Sequence, residues 1–139
     1  IALDSIKDPG NLGTIIRVAD WFGVKNILCS KDCVDCFNPK VIQSSMGSFL
    51  RVNIKYTDLL NSFKLHSDYE ILATVLNGTP INRITSKNKK IIVLGNESIG
   101  IRSEILEKAH KKITIPKSES SKAESLNVSI ASAIVLSIL

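Results

Sequence analysis

The sequence has no long apolar run and no secretory leader. None of its hydrophobic stretches approaches the roughly 20 residues that cross a membrane, and no charged-then-apolar segment opens the chain. We therefore expect no membrane segment and predict a cytoplasmic protein. The 139 residues suffice for one domain with a substantial core, and contents of 44% hydrophobic and 22% charged residues are ordinary for a globular fold.

Cysteine and histidine are too scarce to indicate a metal site. Cys29, Cys33 and Cys36 are an odd number of closely spaced thiols, which argues against a disulfide framework. The spacing of Cys33 and Cys36 is compatible with zinc, but no second cysteine pair exists, and His66 and His110 are remote in sequence. We predict thiols without a metal role and no bound metal.

Several catalytic motifs are also missing. The first strand–helix turn carries Pro9-Gly10-Asn11, where a dinucleotide-binding fold has Gly-x-Gly-x-x-Gly, and no Gly-Lys-Ser/Thr ending marks a P-loop. Neither a His-Glu-x-x-His helix nor a serine–histidine–aspartate set is evident. Zinc hydrolysis and triad chemistry therefore have little support.

Short apolar strands alternate with helical patterns along the whole chain. The predicted strands are 1–4, 24–29, 50–54, 69–76, 90–94 and 112–115. The predicted helices are 12–22, 39–44, 57–65 with Thr57 as its cap, 102–110 and 125–139. This alternation predicts an α/β fold with a mainly parallel sheet flanked by helices. No internal repeat or low-complexity linker divides the chain.

Polar side chains follow the ends of these strands, where the ligand crevice of an open parallel sheet lies. The candidate site residues are Asn11, Arg17, Glu97, Ser125 and Asn127. Such a set suits a polar, anionic substrate, because an arginine can fork onto a phosphate and amides can orient a hydroxyl. Taken singly, Asn11 reads as a turn residue, Ser125 as a helix cap and Arg17 as an exposed helix residue. Asn127 at the start of an apolar helix needs a polar partner.

The net charge of +5 comes with lysine clusters at 87–90, 108–112 and 117–122. Lysine clusters alone indicate a solvated surface. A basic face on a catalytic domain is also what a polyanion such as RNA would select.

Three stretches, in the same order, strongly resemble the motifs of the SpoU (TrmH-type) branch of the SPOUT superfamily, the trefoil-knotted RNA 2′-O-ribose methyltransferases. The first runs from Asp8 to Asp20 and reads DPGNLGTIIRVAD, and the second runs from Leu94 to Gly100 and reads LGNESIG. The third comprises Ile115-Pro116 and the stretch ESLNVSIA from Glu124 to Ala131. Three ordered motifs that span nearly the whole chain are a specific signal.

This resemblance implies an enzyme that uses S-adenosylmethionine to methylate a ribose 2′-hydroxyl in tRNA or rRNA. It implies a C-terminal trefoil knot and a homodimer with the active site near the subunit interface. It also implies a single catalytic domain over residues 1–139, which we expect to be a fragment of a longer protein, lacking the family's N-terminal RNA-recognition domain. The catalytic set carried over by motif is Asn11, Arg17, Glu97, Ser125 and Asn127. The cofactor-binding set is Thr74, Leu76, Leu94, Gly95, Ile115 and Leu126.

Two alternatives stay open at this stage. One is a non-catalytic RNA- or cofactor-binding module with the same fold, and the other is methylation of a base. For the proton of the hydroxyl, an arginine is commonly proposed as the base in this family, which here means Arg17. Because arginine stays protonated in proteins, we expect Arg17 to clamp a phosphate and stabilise the developing alkoxide.

Two further features bear on assembly and substrate binding. The loop 117–123 is rich in lysine and serine, where relatives have a shorter Met- and Gly-containing stretch. The C-terminal helix is apolar almost throughout from Val128 to Leu139, which indicates either a core helix or an interface.

Overall fold

The computed structural model describes all of residues 1–139 as an α/β fold around one six-stranded sheet. The strands are β1 (Ala2–Leu3), β2 (Asn26–Ser30), β3 (Asn53–Thr57), β4 (Glu70–Pro80), β5 (Lys90–Leu94) and β6 (Lys111–Thr114). The helices are α1 (Pro9–Trp21), α2 (Pro39–Ser45), α3 (Leu59–Leu65), α4 (Ser103–Leu106) and α5 (Val128–Ile138), with 3₁₀ turns at Ser48–Leu50 and Ile81–Arg83. Every pair of neighbouring strands is parallel, which confirms the predicted class.

Helices cover both faces of the sheet, and successive strand residues point into different apolar layers. Leu72 and Ile92 pack with Val135 of α5, whereas Ile71 and Ile91 belong to the layer on the opposite face. The helix residues of that opposite layer are Leu59, Phe63 and Ile105, from α3 and α4. Burial on both faces explains why the strands read as continuous apolar runs.

The strand order β3-β2-β1-β5-β4-β6 reverses its direction of growth between β1 and β5. From β1 the chain builds outwards through β2 and β3, and it then returns to build the other half of the sheet. The carboxyl ends of β1 and β5 therefore meet at a topological switch point, where open α/β sheets form their ligand crevice. The first and second sequence motifs follow these two strand ends.

Helix α1 begins three residues earlier than the periodicity predicted. Asp8 caps it, because its carboxylate accepts the N–H of Asn11 at 2.7 Å, and Pro9 occupies the first helical position, where its missing N–H costs nothing. Asn11 therefore lies in the first turn of a helix and not in a loop. Gly23 ends the helix at φ +74°, as predicted.

The C-terminal helix begins later than predicted, at Val128. The side chain of Asn127 caps it, and Ser125 lies in the preceding loop, so the reading of Ser125 as the cap is wrong. No glycine or proline separates Ser125 from the apolar residues that begin at Val128, so the sequence did not mark where the helix starts.

Several other boundaries differ from the prediction. Residues 48–50 form a 3₁₀ turn and the strand lies at 53–57, β2 lies at 26–30, and Asp58 rather than Thr57 caps α3. The predicted helix 102–110 has one turn only, at 103–106. Strand β4 continues to Pro80 through an irregularity between Thr74 and Thr79, both of which pair with Ile113. None of the five helices has the length and hydropathy of a membrane span.

Candidate active site

Three side chains from the three sequence motifs form one chain of hydrogen bonds at the switch point. The Nδ2 amide of Asn127 donates to Oδ1 of Asn11 at 2.9 Å, and Nδ2 of Asn11 donates to Oε1 of Glu97 at 2.9 Å. These residues are 86 and 116 positions apart in sequence. The fold thus brings together three of the five predicted catalytic residues, and we call this chain of bonds the Glu97 relay.

The direction of the relay is fixed at its Asn127 end. Oδ1 of Asn127 accepts the N–H of Ser129 at 2.8 Å, the Ser129 hydroxyl at 2.6 Å and the N–H of Ile130 at 3.3 Å. Because the cap occupies the oxygen, the amide nitrogen of Asn127 must point towards Asn11. The oxygen of Asn11 accepts this bond, and its nitrogen then faces the Glu97 carboxylate. Each of the two amide nitrogens in the relay therefore donates to an oxygen.

Glu97 lies at the exposed end of the relay on a closed hairpin. Asn96 and Gly100 exchange both backbone hydrogen bonds, at 2.9 and 3.0 Å, and Oδ1 of Asn96 accepts the N–H groups of Ser98 and Ile99. Gly95 is required beside this hairpin, since a Cβ there would lie 2.4 Å from the carbonyl carbon of Gly100. The Glu97 carboxylate is therefore presented to solvent by a stiff support, with Oε2 free of protein partners.

The other two predicted catalytic residues do not join the relay. Arg17 is exposed on α1, and its guanidinium forms neither a hydrogen bond nor an ion pair within the chain. Ser125 is exposed in the loop before α5, and its hydroxyl has no partner. Both side chains are free to contact a substrate or a second subunit.

Of the predicted cofactor residues, Thr74 and Leu76 lie within β4 at its irregularity, Leu94 and Gly95 lie at the end of β5, and Ile115 and Leu126 follow β6. The side chains of Leu76 and Leu126 are 69% and 49% exposed, and that of Ile115 is half-buried. Leu94 is fully buried, and the Thr74 hydroxyl donates to the carbonyl of Val93 at 2.9 Å. These two residues therefore stabilise β4 and β5 rather than presenting exposed side chains.

Backbone groups in this region have few partners. Gly95 forms no backbone hydrogen bond, and the stretch 115–126 has a single one, from Ser121 N–H to the carbonyl of Ser118. Backbone donors and acceptors that the fold leaves unpaired are available to a polar ligand. Between them, the exposed leucines offer an apolar contact surface.

Four polar residues that the sequence analysis did not select support this site. Asp4 and Arg102 form a buried ion pair beside the hairpin, Asn96 turns it, and Asp8 caps α1 and donates its N–H to Glu97 Oε1 at 3.4 Å. The Asp8-Pro9 cap and the Asn96 turn have local signals that could have identified them. The pairing of Asp4 with Arg102 has none, because 98 residues separate the two.

The three cysteines are free thiols buried next to this region. Cys33 Sγ accepts the N–H of Ile6 at 3.3 Å and lies 3.4 Å from the Ser30 hydroxyl. Contact with Cys29 lowers the pKa of Cys33 to about 7, and the same contact together with burial raises the pKa of Cys29. Cys29 and Cys33 are part of the apolar core that also contains Leu3 of β1 and Ile27 of β2.

A surface cavity lies away from this site. It has a volume of about 330 Å³ and lies at the amino ends of β4 and β6, with Tyr69, His66 and His110 among its lining residues. None of the predicted site residues borders it.

Comparisons with known proteins show what the chain is similar to. The model of the SpoU rRNA Methylase family matches residues 1–137. A Bacillus subtilis protein, 23S rRNA (guanosine(2553)-2'-O)-methyltransferase RlmP, is 32% identical over 98% of this chain and 55% of its own length.

Two solved structures have the same fold. A putative RNA methyltransferase of the TrmH family from Porphyromonas gingivalis has a TM-score of 0.87 at 37% identity, over 98% of this chain and 56% of the other. An AdoMet-bound rRNA methyltransferase from Sinorhizobium meliloti has a TM-score of 0.88 at 32% identity, over 97% and 52%. The chain thus spans about half the length of the relatives that it matches.

Proposed function

This chain belongs to the SpoU rRNA methylase family, and on that premise we propose that it transfers a methyl group from S-adenosylmethionine to a ribose 2′-hydroxyl in tRNA or rRNA. The observation that carries this proposal is the Glu97 relay, which joins all three family motifs through matched donors and acceptors. The Bacillus subtilis relative, whose name is that of a 2′-O-methyltransferase, supports ribose rather than base as the target.

A non-catalytic module of the same fold is the weaker alternative. Such a module needs no carboxylate held by an exposed amide relay, since a polar network at the surface contributes little to stability. The relay ends in a free carboxylate oxygen at the switch point, which is where a reacting group is useful.

The residues around the strand ends fit S-adenosylmethionine. The unpaired backbone groups of Gly95 and of the stretch 115–126 can bind its polar atoms, and the exposed side chains of Leu76 and Leu126 can contact its adenine. Ile115 completes this surface, and Thr74 and Leu94 hold the strand ends beneath it. The bound molecule would supply the electrophilic methyl group.

The catalytic residues then have distinct tasks. Glu97 and Asn11 orient the ribose through hydrogen bonds, and Asn127 fixes Asn11 from behind. Arg17 binds the neighbouring phosphate and stabilises the negative charge that develops on the 2′-oxygen. Ser125, with its hydroxyl free at the edge of the site, is a further hydrogen-bonding group for the substrate.

We also propose that the chain works as a homodimer built on α1 and α5. These helices pack on each other and leave large apolar side chains exposed: Trp21 is 84% exposed, Ile130 52% and Ile138 50%. Arg17 and Trp21 lie one turn apart on α1 and so face the same way. A second copy over this surface would bury Trp21 and bring Arg17 beside the partner's bound RNA.

The trefoil knot is a further part of the proposal. Strand β6 lies at the sheet edge outside β4, whereas α5 packs back over the sheet against Ile81 and Ile92. Such a path is compatible with a C-terminal segment threaded through the connection between β4 and β5. Joining the two ends of the folded chain and then denaturing it would test this. A knotted ring has a smaller hydrodynamic radius than a ring closed from the unfolded chain.

We expect the chain to act in a reducing compartment, and the cytoplasm remains the proposed location. The three cysteines are free although they lie close together in sequence, which fits that setting. Fractionation of cells that produce the protein, followed by detection in each fraction, would test the location.

The decisive experiment combines calorimetric titration with S-adenosylmethionine and methyl transfer to unmodified tRNA and rRNA transcripts. The informative variant is Asn127→Asp. An aspartate at position 127 keeps the oxygen that caps α5 but has no N–H to donate to Asn11. If the Asn11 amide turned over to donate to this aspartate, its own oxygen would face the Glu97 carboxylate and be repelled by it. We expect methyl transfer to fall by roughly 10- to 100-fold, with the fold intact.

A matched control is Asn53→Asp. Asn53 donates to the side chain of Asn26 at 3.2 Å, which is the same kind of amide pair at the opposite edge of the sheet. This variant should keep the parental activity. If the parent binds no cofactor and methylates no transcript while folded, the enzyme proposal is wrong for this chain.

A further inference from the structure

The Glu97 hairpin is fixed to the rest of the site at two points, and both anchors lie just after β1. The Nδ2 amide of Asn96 donates to the carbonyl of Ser5 at 2.7 Å. Directly after the hairpin, Arg102 meets the carboxylate of Asp4 in a fork: its backbone N–H donates to Oδ2 at 2.8 Å and its Nε to Oδ1 at 2.8 Å. A second guanidinium nitrogen lies 2.7 Å from Oδ1.

The Asp4 carboxylate is completely buried, so this ion pair differs from the others in the chain. The Arg102 side chain is 39% exposed, and its remaining nitrogen lies 3.5 Å from Glu104. Arg102 supplies the hydrogen bonds that the Asp4 carboxylate accepts. The Ser5 hydroxyl also lies 3.4 Å from this carboxylate, but its single proton is donated to Asp32. A buried carboxylate needs such a partner, and a lysine could not reproduce the fork.

The position of the pair relates it to the relay. Asp4 begins the segment that leads through Asp8 to Asn11, and Arg102 ends the segment that contains Glu97. The bond between Asn11 and Glu97 at 2.9 Å therefore depends on how these two segments are held together. The hairpin itself is stiff, so it moves as a unit about its anchors.

We propose that the Asp4–Arg102 ion pair is the positioning device of the active site, which holds the Glu97 hairpin against α1 and so sets the geometry of the Glu97 relay. This inference rests on the proposed methyltransferase function. Arg102 and Asp4 are positioning residues, because neither belongs to the relay itself.

The test compares Arg102→Gln and Arg102→Lys with the parent in methyl transfer to unmodified tRNA and rRNA transcripts. The loss of the fork lets the hairpin shift, and displacement by about 1 Å lowers a rate by up to roughly 100-fold. We expect a drop in kcat of at least about tenfold for both variants, and a change of less than about twofold in the KM for RNA and in the Kd for S-adenosylmethionine. A second readout, the NMR signals of the Asn11 and Asn127 side-chain amides, should move in both variants.

Arg51→Gln is the matched control. Arg51 forms the same kind of fork on Asp20, with Nε and a terminal nitrogen 2.8 and 2.7 Å from one carboxylate oxygen, far from the hairpin. Its kcat and its amide signals should equal those of the parent. If kcat falls and the amide signals move in the Arg102 variants but not in Arg51→Gln, the effect comes from the relay and not from the loss of an arginine–carboxylate pair in general.

A combination with Glu97→Gln completes the test. If Arg102 acts through Glu97, the two changes together should cost little more than Glu97→Gln alone. Additive losses, or a raised KM for RNA with unchanged amide signals, would mean that Arg102 contacts the RNA directly and would overturn the proposal. If the parent methylates no transcript, the proposed function fails, and the amide signals still decide whether the ion pair positions the relay.

Discussion

At the scale of single residues, the site depends on the orientation of two side-chain amides, those of Asn127 and Asn11, relative to the carboxylate of Glu97. Asn127 has two tasks, since its oxygen caps α5 and its nitrogen holds Asn11. Composition and spacing select Asn127 as a polar residue that needs a partner. In the structure its oxygen accepts from Ser129 and Ile130, and its nitrogen donates to Asn11. Asn11 is 116 residues away and was not predictable as a partner from local sequence.

Arg17 allows a direct test of its chemical role. In an Arg17→Lys variant we expect a loss of methyl transfer of about tenfold or more, because a lysine cannot fork onto a phosphate. The pH–rate profile should keep its shape. The measurement is kcat between pH 6 and 11 for both proteins. Retained activity with an apparent pKa shifted towards that of lysine, about 10.4, would show that residue 17 is a base.

Asp32 contributes a pH-dependent term to stability. The hydroxyls of Ser5 and Ser30 and the ammonium of Lys7 bond to its carboxylate and lower its pKa below the ordinary value. A carboxyl whose pKa is lower in the folded chain contributes stability above about pH 4 and loses it as the pH falls. Between pH 6 and pH 3 we therefore expect the parent to lose more free energy of unfolding than Asp32→Asn.

Urea unfolding at half-unit steps of pH measures this difference. Asp35→Asn is the control, since it removes an equal charge three residues away, from a side chain that accepts one backbone N–H, that of Phe37. If the free energy of unfolding falls by the same amount between pH 6 and pH 3 in the parent and in Asp32→Asn, the Ser5 and Ser30 hydroxyls do not have the assigned role.

At the scale of elements, α1 is placed by a cap at its start and by a close contact along its side. A Cβ at Gly13 would lie 2.5 Å from Cβ of Ser44 and 2.6 Å from the carbonyl oxygen of Val41, so α2 touches the backbone of α1 there. The sequence shows Gly13 inside a helical pattern, where glycine is unfavourable. The reason for it becomes visible only with the packing.

We predict that Gly13→Ala destabilises the chain by about 1–3 kcal/mol, because two helices must move apart. The better helix propensity of alanine, about 1 kcal/mol, offsets only part of this. Denaturant unfolding measures the difference. Gly10→Ala is the comparison, since a Cβ there meets only Asp8 Oδ1 at 3.1 Å and should cost less. Equal or higher stability of Gly13→Ala would contradict the close contact.

At the scale of the whole molecule, the order of the strands creates the site. The reversal between β1 and β5 brings the segment of Asn11 beside the hairpin of Glu97, and α5 returns across the sheet to add Asn127. The same return packs α5 on α1 and leaves the apolar face that we assign to a second copy.

For the dimer, we predict that the parent sediments as a dimer at micromolar concentration and that Trp21→Glu sediments as a monomer. A carboxylate at the centre of an apolar interface would be buried without a partner. Leu65→Glu is the control, because Leu65 is also an exposed apolar residue, 80% exposed, but lies on α3. A monomeric parent, or an unchanged dimer in Trp21→Glu, would contradict the proposed interface.

The sequence by itself determined the fold class, most of the elements and the family. Apolar runs bounded by turn residues mark strands such as β5, whose bounds were predicted without error, because burial on both faces and the turn chemistry are local properties. The three motifs likewise carried the expectation of a ribose methyltransferase, since the candidate site residues occur there in a fixed order.

Only the tertiary structure decided which of these residues meet. Asn11, Glu97 and Asn127 join one relay, whereas Arg17 and Ser125 have no partner within the chain. The Asp4–Arg102 pair and the Gly13 contact also link segments that are far apart in sequence. Side-chain partners of this kind depend on the strand order and the return of α5, and no local pattern records either of them.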